Sequence, residues 1–212
     1  MYKQLQLALL LGWAFLVTGP ELSAQTEQSK LPIQVSAITD LDLGDPISFS
    51  PGMMVDAGIR LMNKPKIKNK INSVQSVRDR EIYLKPFVGF YKREDYHTAL
   101  MLGSDITYRA TYPSGIFWDM NVGAGYMHLF YNAPVYVYDN GSFTQKKFQG
   151  YANVVVKGAI NLGVDLSKKN ENIPLGFYVG GGMFFRYPNN DYWVKHPYLQ
   201  LGLMYVIKKD KK

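Results

Sequence analysis

The sequence predicts an all-β chain, an antiparallel up-and-down β-barrel of eight strands with a polar interior. Three observations predict it. Apolar and polar residues alternate with a period of two over many segments, which is the rhythm of strands exposing two unlike faces. Several of these segments run well past ten residues, longer than the usual strand of about 5–6. The composition is strand-like too, with 16 Tyr, 11 Phe and 19 Gly against only 19% charged residues.

The chain begins with a short positive start, Met1-Tyr2-Lys3, followed by an apolar run from Leu7 to Val17. Gly19-Pro20 breaks that run, and Leu22-Ser23-Ala24 precedes Gln25. This is the layout of a secretory signal peptide cut after Ala24, so residues 1–24 are assigned as leader and 25–212 as one barrel domain. The apolar run is too short for a comfortable membrane-spanning helix, and no later stretch reaches eighteen apolar residues. There is no cysteine, which excludes a disulfide scaffold, a thiolate nucleophile and cysteine metal sites. The net charge of +7 gathers at Lys64 to Lys70 and in the tail Lys208, Lys209, Lys211 and Lys212. No basic helix or RNA-binding signature accompanies it, so nucleic acid is not an expected partner.

The elements follow in order. Ile33, Val35 and Ala37 alternate with Gln34 and Ser36, the weakest of the eight signals. In 53–62, Met53, Val55, Ile59 and Leu61 oppose Asp56, Gly58 and Arg60. In 81–92, Ile82, Leu84, Val88 and Phe90 oppose Glu81, Tyr83, Lys85 and Gly89; Pro86 on the apolar face calls for a bulge. In 98–112, Leu100, Leu102, Ile106 and Tyr108 oppose Gly103, Asp105, Thr107 and Arg109. After the turn signal Tyr112-Pro113-Ser114-Gly115, Ile116, Trp118, Met120 and Val122 oppose Asp119, Asn121, Gly123 and Gly125. In 150–166, Val154, Val156, Ile160 and Leu162 oppose Asn153, Lys157, Asn161 and Asp165. In 173–187, Leu175, Phe177, Val179 and Phe185 oppose Tyr178, Gly180, Gly182 and Arg186. In 192–207, Leu199, Leu201, Leu203, Tyr205 and Ile207 oppose His196, Tyr198, Gln200 and Gly202. The two longest links are 63–80 and 132–149. The second holds Val135 to Tyr138, Asp139-Asn140-Gly141-Ser142 and Phe143 to Phe148, a hairpin with an Asn-Gly turn.

Alternation alone does not say which face is inside. A soluble lipocalin-like barrel turns the apolar face inward around a ligand, whereas an outer-membrane barrel turns it toward lipid. The polar face favours the second. Its charges are Asp56, Glu81, Asp105, Asp119 and Asp165 against Arg60, Lys85, Arg109, Lys157 and Arg186, a balance that suits a narrow, closed lumen. Tyr108, Tyr112, Trp118, Phe130, Tyr187 and Trp193 recur toward strand ends as interfacial girdles do. Lys92, Lys195 and His128 fall on the nominal lipid face near strand ends, where lysines can snorkel.

The last strand, Gln200-Leu201-Gly202-Leu203-Met204-Tyr205-Val206-Ile207, resembles the C-terminal assembly signal of bacterial outer-membrane barrels, through Gln200, Gly202, Tyr205 and Ile207. It departs from that pattern by running on into Lys208-Lys209-Asp210-Lys211-Lys212 rather than ending at Phe. The chain thus resembles, by strand pattern over residues 31–207, the small eight-stranded barrels of the OmpA-membrane-domain and OmpX type. The resemblance implies a Gram-negative outer-membrane location, insertion through the barrel-assembly machinery and both termini in the periplasm. Links 40–50, 93–96, 132–149 and 188–191 would then face outward. It transfers no particular activity, because such barrels serve as adhesins, enzymes and structural parts.

Candidate chemistry is sparse. Of three histidines, His97 follows Glu94 and Asp95 in a short link, where a metal site is outweighed by ordinary polar surface; His128 has lipid-side parity; His196 is lumen-side. No Ser lies close to any of them, so a lipid-modifying enzyme is only an alternative, and no catalytic residue, metal or cofactor is expected. Eight strands leave an interior that side chains fill, so open conduction is not expected either. The expectation is a monomeric structural or interaction protein whose partners are membrane lipid and, at the 132–149 hairpin, a protein contacting Tyr136, Tyr138, Phe143, Lys146 and Lys147.

Overall fold

The computed structural model describes residues 30–42, 48–69, 75–94, 96–134, 136–139, 141–145, 150–170, 172–189 and 192–208. The leader assignment therefore lies outside the described residues. Every long period-2 segment forms a strand. In chain order these are β1 (Lys30–Asp42), β2 (Ser48–Ala57), β3 (Ile59–Asn63), β4 (Lys66–Asn69), β5 (Gln75–Arg93), β6 (His97–Thr111), β7 (Ile116–Tyr131), β8 (Tyr136–Asp139), β9 (Ser142–Gln145), β10 (Tyr151–Asp165), β11 (Leu175–Asn189) and β12 (Tyr192–Lys208).

Neighbours in sequence pair antiparallel, and β1 pairs β12 from Lys30↔Lys208 to Asp40↔Tyr198. With β2 and β3 together opposite β5, this closes an eight-stranded up-and-down barrel. Closure removes the free sheet edges that an open sheet would present. The end holding Lys30 and Lys208 is here called the base and the opposite end the crown. The β5–β6 register is unbroken from Asp79↔Thr111 to Arg93↔His97. The irregularity expected at Pro86 lies instead on its other neighbour. There the partner of β5 changes from β2, ending at Asp56↔Phe87, to β3, resuming at Ile59↔Leu84. Gly58 in that gap donates its N–H to Pro32 O at 2.7 Å, and the missing amide of Pro86 falls where no ladder bond is needed. A second shift between Arg60 and Met62 leaves Leu61 and Met62 both exposed.

Segment 63–80, expected as a link, is mostly sheet: β4 pairs β5 from Lys66↔Arg78 to Asn69↔Gln75, so the hairpin continues past the barrel wall. At the base, the 112–115 turn closes with Gly115 N on Tyr112 O at 2.9 Å, and Gly115 adopts φ +85°, open to glycine at no steric cost.

The alternation resolves one way. Val88, Leu102, Ile106, Met120, Val122, Ile160, Leu162, Val179, Leu201 and Leu203 are exposed on the outside, while Gln34, Lys85, Thr107, Arg109, Asp119 and Asn161 are buried inside. A lipocalin-like arrangement requires the reverse.

The interior is layered. Toward the base, Phe117, Tyr178, Met204 and Val206 form one apolar cluster. Toward the crown, Ile38, Met54, Phe87, Tyr91, Met101, Met127, Leu129, Phe184 and Tyr198 belong to a larger one. The sequence reading of the inner face missed much of the larger cluster, because Met127, Leu129 and Phe184 lie where the alternation gives way to continuous apolar runs. Glycines make room for these rings: a Cβ on Gly202 would meet the Tyr178 ring, one on Gly163 the Phe117 ring, and one on Gly103 the Phe87 ring. The crowding comes from neighbouring strands; a Cβ on Gly123 would strike the Asp105 side chain and Ser104 O on adjacent β6.

Candidate functional site

Between the two apolar layers sits a charged band. Asp119 and Arg109 face each other directly in the β6–β7 register. Arg109 donates to Asp119 through Nε and Nη2, each at 2.7 Å, a bidentate charge-assisted pair. Lys85 adds its Nζ at 3.4 Å from Asp119 and at 2.9 Å from Gln34 Oε1. The guanidinium also lies 4.2 Å from the Phe117 ring centroid, with Nη1 3.0 Å from Met204 Sδ. One layer nearer the crown, Lys157 pairs with Asp105 at 2.8 Å and sits 3.8 Å over the Phe87 ring. Asp56 is buried beside this band. Three carboxylates, Asp56, Asp105 and Asp119, thus balance the three cations Lys85, Arg109 and Lys157. Neutral polar pairs fill the gaps: Thr107 donates to Asn121 at 2.7 Å, and Gln200 donates to Asn161.

Of the other charges named from the sequence, Arg60 and Glu81 pair at 3.4 Å toward the base. Asp165 is drawn off to cap the short turn at Leu166–Lys168, accepting from Ser167 N at 2.9 Å and Ser167 Oγ at 2.6 Å. Arg186 lies half-buried toward the crown. A cavity of about 20 Å³ beside Lys157, lined by Ile38, Met54, Phe87, Met101, Phe184 and Tyr198, has room for about one water.

One buried pair escaped sequence reasoning. His196 Nδ1 lies 3.2 Å from Asp40 Oδ2, and Phe184 stacks on the imidazole with centroids 4.7 Å apart and planes 7° from parallel. Asp40 was assigned to the 40–50 link. Continuing the Gln34, Ser36, Ile38 parity two residues further would have placed it inside. His196 Nε2 has no hydrogen-bond partner among the described residues. His97 is buried against Tyr91, ring centroids 5.9 Å apart, whereas Glu94 is exposed. Asp95 lies outside the described residues, and those described hold no group of three metal-ligating side chains.

Two features face outward. Aromatics collect at both ends of the wall: Tyr108 and Trp118 pack at 5.4 Å toward the base, and Tyr187 and Trp193 at 5.2 Å toward the crown. Beyond the crown, β8 and β9 form the expected hairpin, Tyr136↔Gln145 to Asp139↔Ser142, with Gly141 at φ +83° as the turn demands. Tyr138 and Phe143 pair at 5.1 Å and stay largely exposed, as does Tyr136. Lys146 and Lys147 lie outside the described residues. In β12, Gln200 and Gly202 turn inward while Tyr205 and Ile207 turn outward.

No protein-family model matches the sequence, and no curated protein does. Among solved structures, Neisserial surface protein A is similar at 9% identity with a TM-score of 0.47, covering 83% of this chain and 95% of that one. The N-terminal β-barrel domain of Pseudomonas aeruginosa OprF is similar at 12% identity and TM-score 0.41, covering 85% and 98%. The outer membrane enzyme PagL is similar at 13% identity and TM-score 0.37, covering 83% and 99%. The barrel itself rests on the strand pairings above.

Proposed function

We propose that this chain is an exported outer-membrane β-barrel with a structural or interaction role and no catalysis of its own. The observation that carries the reading is the inside-out distribution of polarity. A wall rich in exposed Val, Leu, Ile and Met surrounds an interior that buries charged side chains, among them Asp56, Lys85, Asp105, Arg109, Asp119 and Lys157. In water that wall would be an apolar patch far larger than soluble monomers tolerate. In a bilayer it is the matched surface, with the two aromatic girdles at the interfaces. Strands of 15 to 19 residues, from β6 to β5, exceed the roughly 9–11 needed to cross at a tilt. The base then faces the periplasm and the crown the exterior. The exposed Tyr136, Tyr138 and Phe143 supply the contact surface for a protein partner, since rigid aromatic rings are favoured anchors.

The test is fractionation followed by electrophoresis. The mature chain should partition with the outer membrane, need detergent for extraction and migrate differently before and after boiling. A protein freely soluble without detergent overturns the reading. A lipid-modifying enzyme is disfavoured by the isolated Asp40–His196 pair, and lipid A from cells with and without the gene should give the same mass spectrum.

A further inference from the structure

The strongest unexplained feature is a ladder of like charges on the outward face at the base. Lys64 and Arg80 stand directly opposite each other, exchanging backbone hydrogen bonds of 2.8 and 3.3 Å. Lys66 and Arg78 are the next paired position in register. Like charges directly opposite across strands are destabilising, and two in succession compound the cost. The register puts Arg80 and Arg78 on the same outward parity as Ile82 and Leu84, just past the apolar band. The Arg78 guanidinium confirms its side by lying 3.9 Å over the ring of Tyr112, itself exposed. Asp79 between the two arginines is taken by Lys168.

We propose that this face is a binding surface for the phosphate headgroups of anionic glycerophospholipids in the leaflet that meets the base. The inference rests on the membrane reading above. A phosphate facing Lys64, Arg78 and Arg80 relieves the repulsion among these cations. The ladder also lies at the depth where phosphates are found, level with the basal aromatics Tyr112, Tyr108 and Trp118. At the crown the outward Lys92 and Lys195 face Thr98 and Phe185 instead, so no like-charged pair forms there.

The experiment uses the full mature chain in nanodiscs of mixed phosphatidylglycerol and phosphatidylethanolamine, released into native mass spectrometry to count retained lipids. Phosphatidylglycerol should be retained preferentially, and R78Q/R80Q should lower that preference on the order of tenfold or more. K64Q/K66Q, on the other strand of the ladder, should weaken it likewise, and K92Q/K195Q should leave it intact. Boiling-dependent migration verifies that each variant is folded. Equal preference in the wild type and in whichever basal variant folds overturns the proposal. So does insertion without any preference, which leaves the membrane reading standing. Failure of the wild type to insert at all overturns both.

Discussion

Arg109 and Asp119 lie face to face across β6 and β7, joined by two hydrogen bonds of 2.7 Å, with Asp119 wholly buried and Lys85 at its second oxygen. A single carboxylate therefore compensates two buried cations. Asp119→Ala should destabilise the barrel by about 3–5 kcal/mol, because it strands both. Asp119→Leu combined with Arg109→Met should cost clearly less than Asp119→Ala. Urea titration of the boiling-resistant form measures both. Equal losses in the two variants would show that the pair contributes only packing.

The glycine beneath Tyr178 makes a second prediction. Gly202→Ala places a methyl against the ring and should cost about 1–3 kcal/mol. Tyr178→Leu should make the same substitution nearly neutral, a coupling visible in a double-mutant cycle. Additive effects would mean that Gly202 is required for some other reason.

Conductance tests the layered interior. Two apolar clusters bracket the charged band, and the cavity beside Lys157, lined by residues of the crown cluster, holds no more than about one water. Planar bilayers containing the mature protein should show no resolved current steps. Large, stable openings are the outcome that sinks the plugged-lumen description.

The crown hairpin should be separable from the fold. Tyr136→Ser, Tyr138→Ser and Phe143→Ser together should leave barrel stability within about 0.5 kcal/mol per site, since these side chains are exposed beyond the wall. The same triple variant should lose the contact with a protein partner, scored by cross-linking on intact cells. A partner retained at wild-type yield places the interaction elsewhere.

The barrel was legible because a period of two, repeated along eight segments, leaves little choice of architecture. Parity alone assigns the ten charges to the polar face; that Lys85, Asp105, Arg109, Asp119 and Lys157 share one band emerges only from register and contacts. What parity cannot supply is height along the barrel. Asp165 and Arg186 share the inner face with Asp119 yet end near opposite rims, one capping a turn and the other among crown aromatics. Nor does alternation survive where both faces are apolar, so Met127, Leu129 and Phe184 were hidden in continuous runs. The basic residues at 64–70 fall in the expected 63–80 link, and only strand register reveals that Lys64 and Lys66 oppose Arg80 and Arg78.

The pairing of β1 with β12 carries a consequence for how the protein comes into being. Ile33 meets Tyr205 and Val35 meets Leu203, contacts between residues at nearly opposite ends of the chain. All other barrel-wall pairings join strands close in sequence and can form as hairpins while the polypeptide is still arriving. The seam must join the first strand to the last, and such distant contacts are slow to form because the intervening loop must first be closed. Until then the wall is an open sheet with two unpaired margins, a species prone to aggregate if left unattended. Loss of the final strand would therefore not yield a slightly smaller barrel. It would leave the whole molecule without an end state.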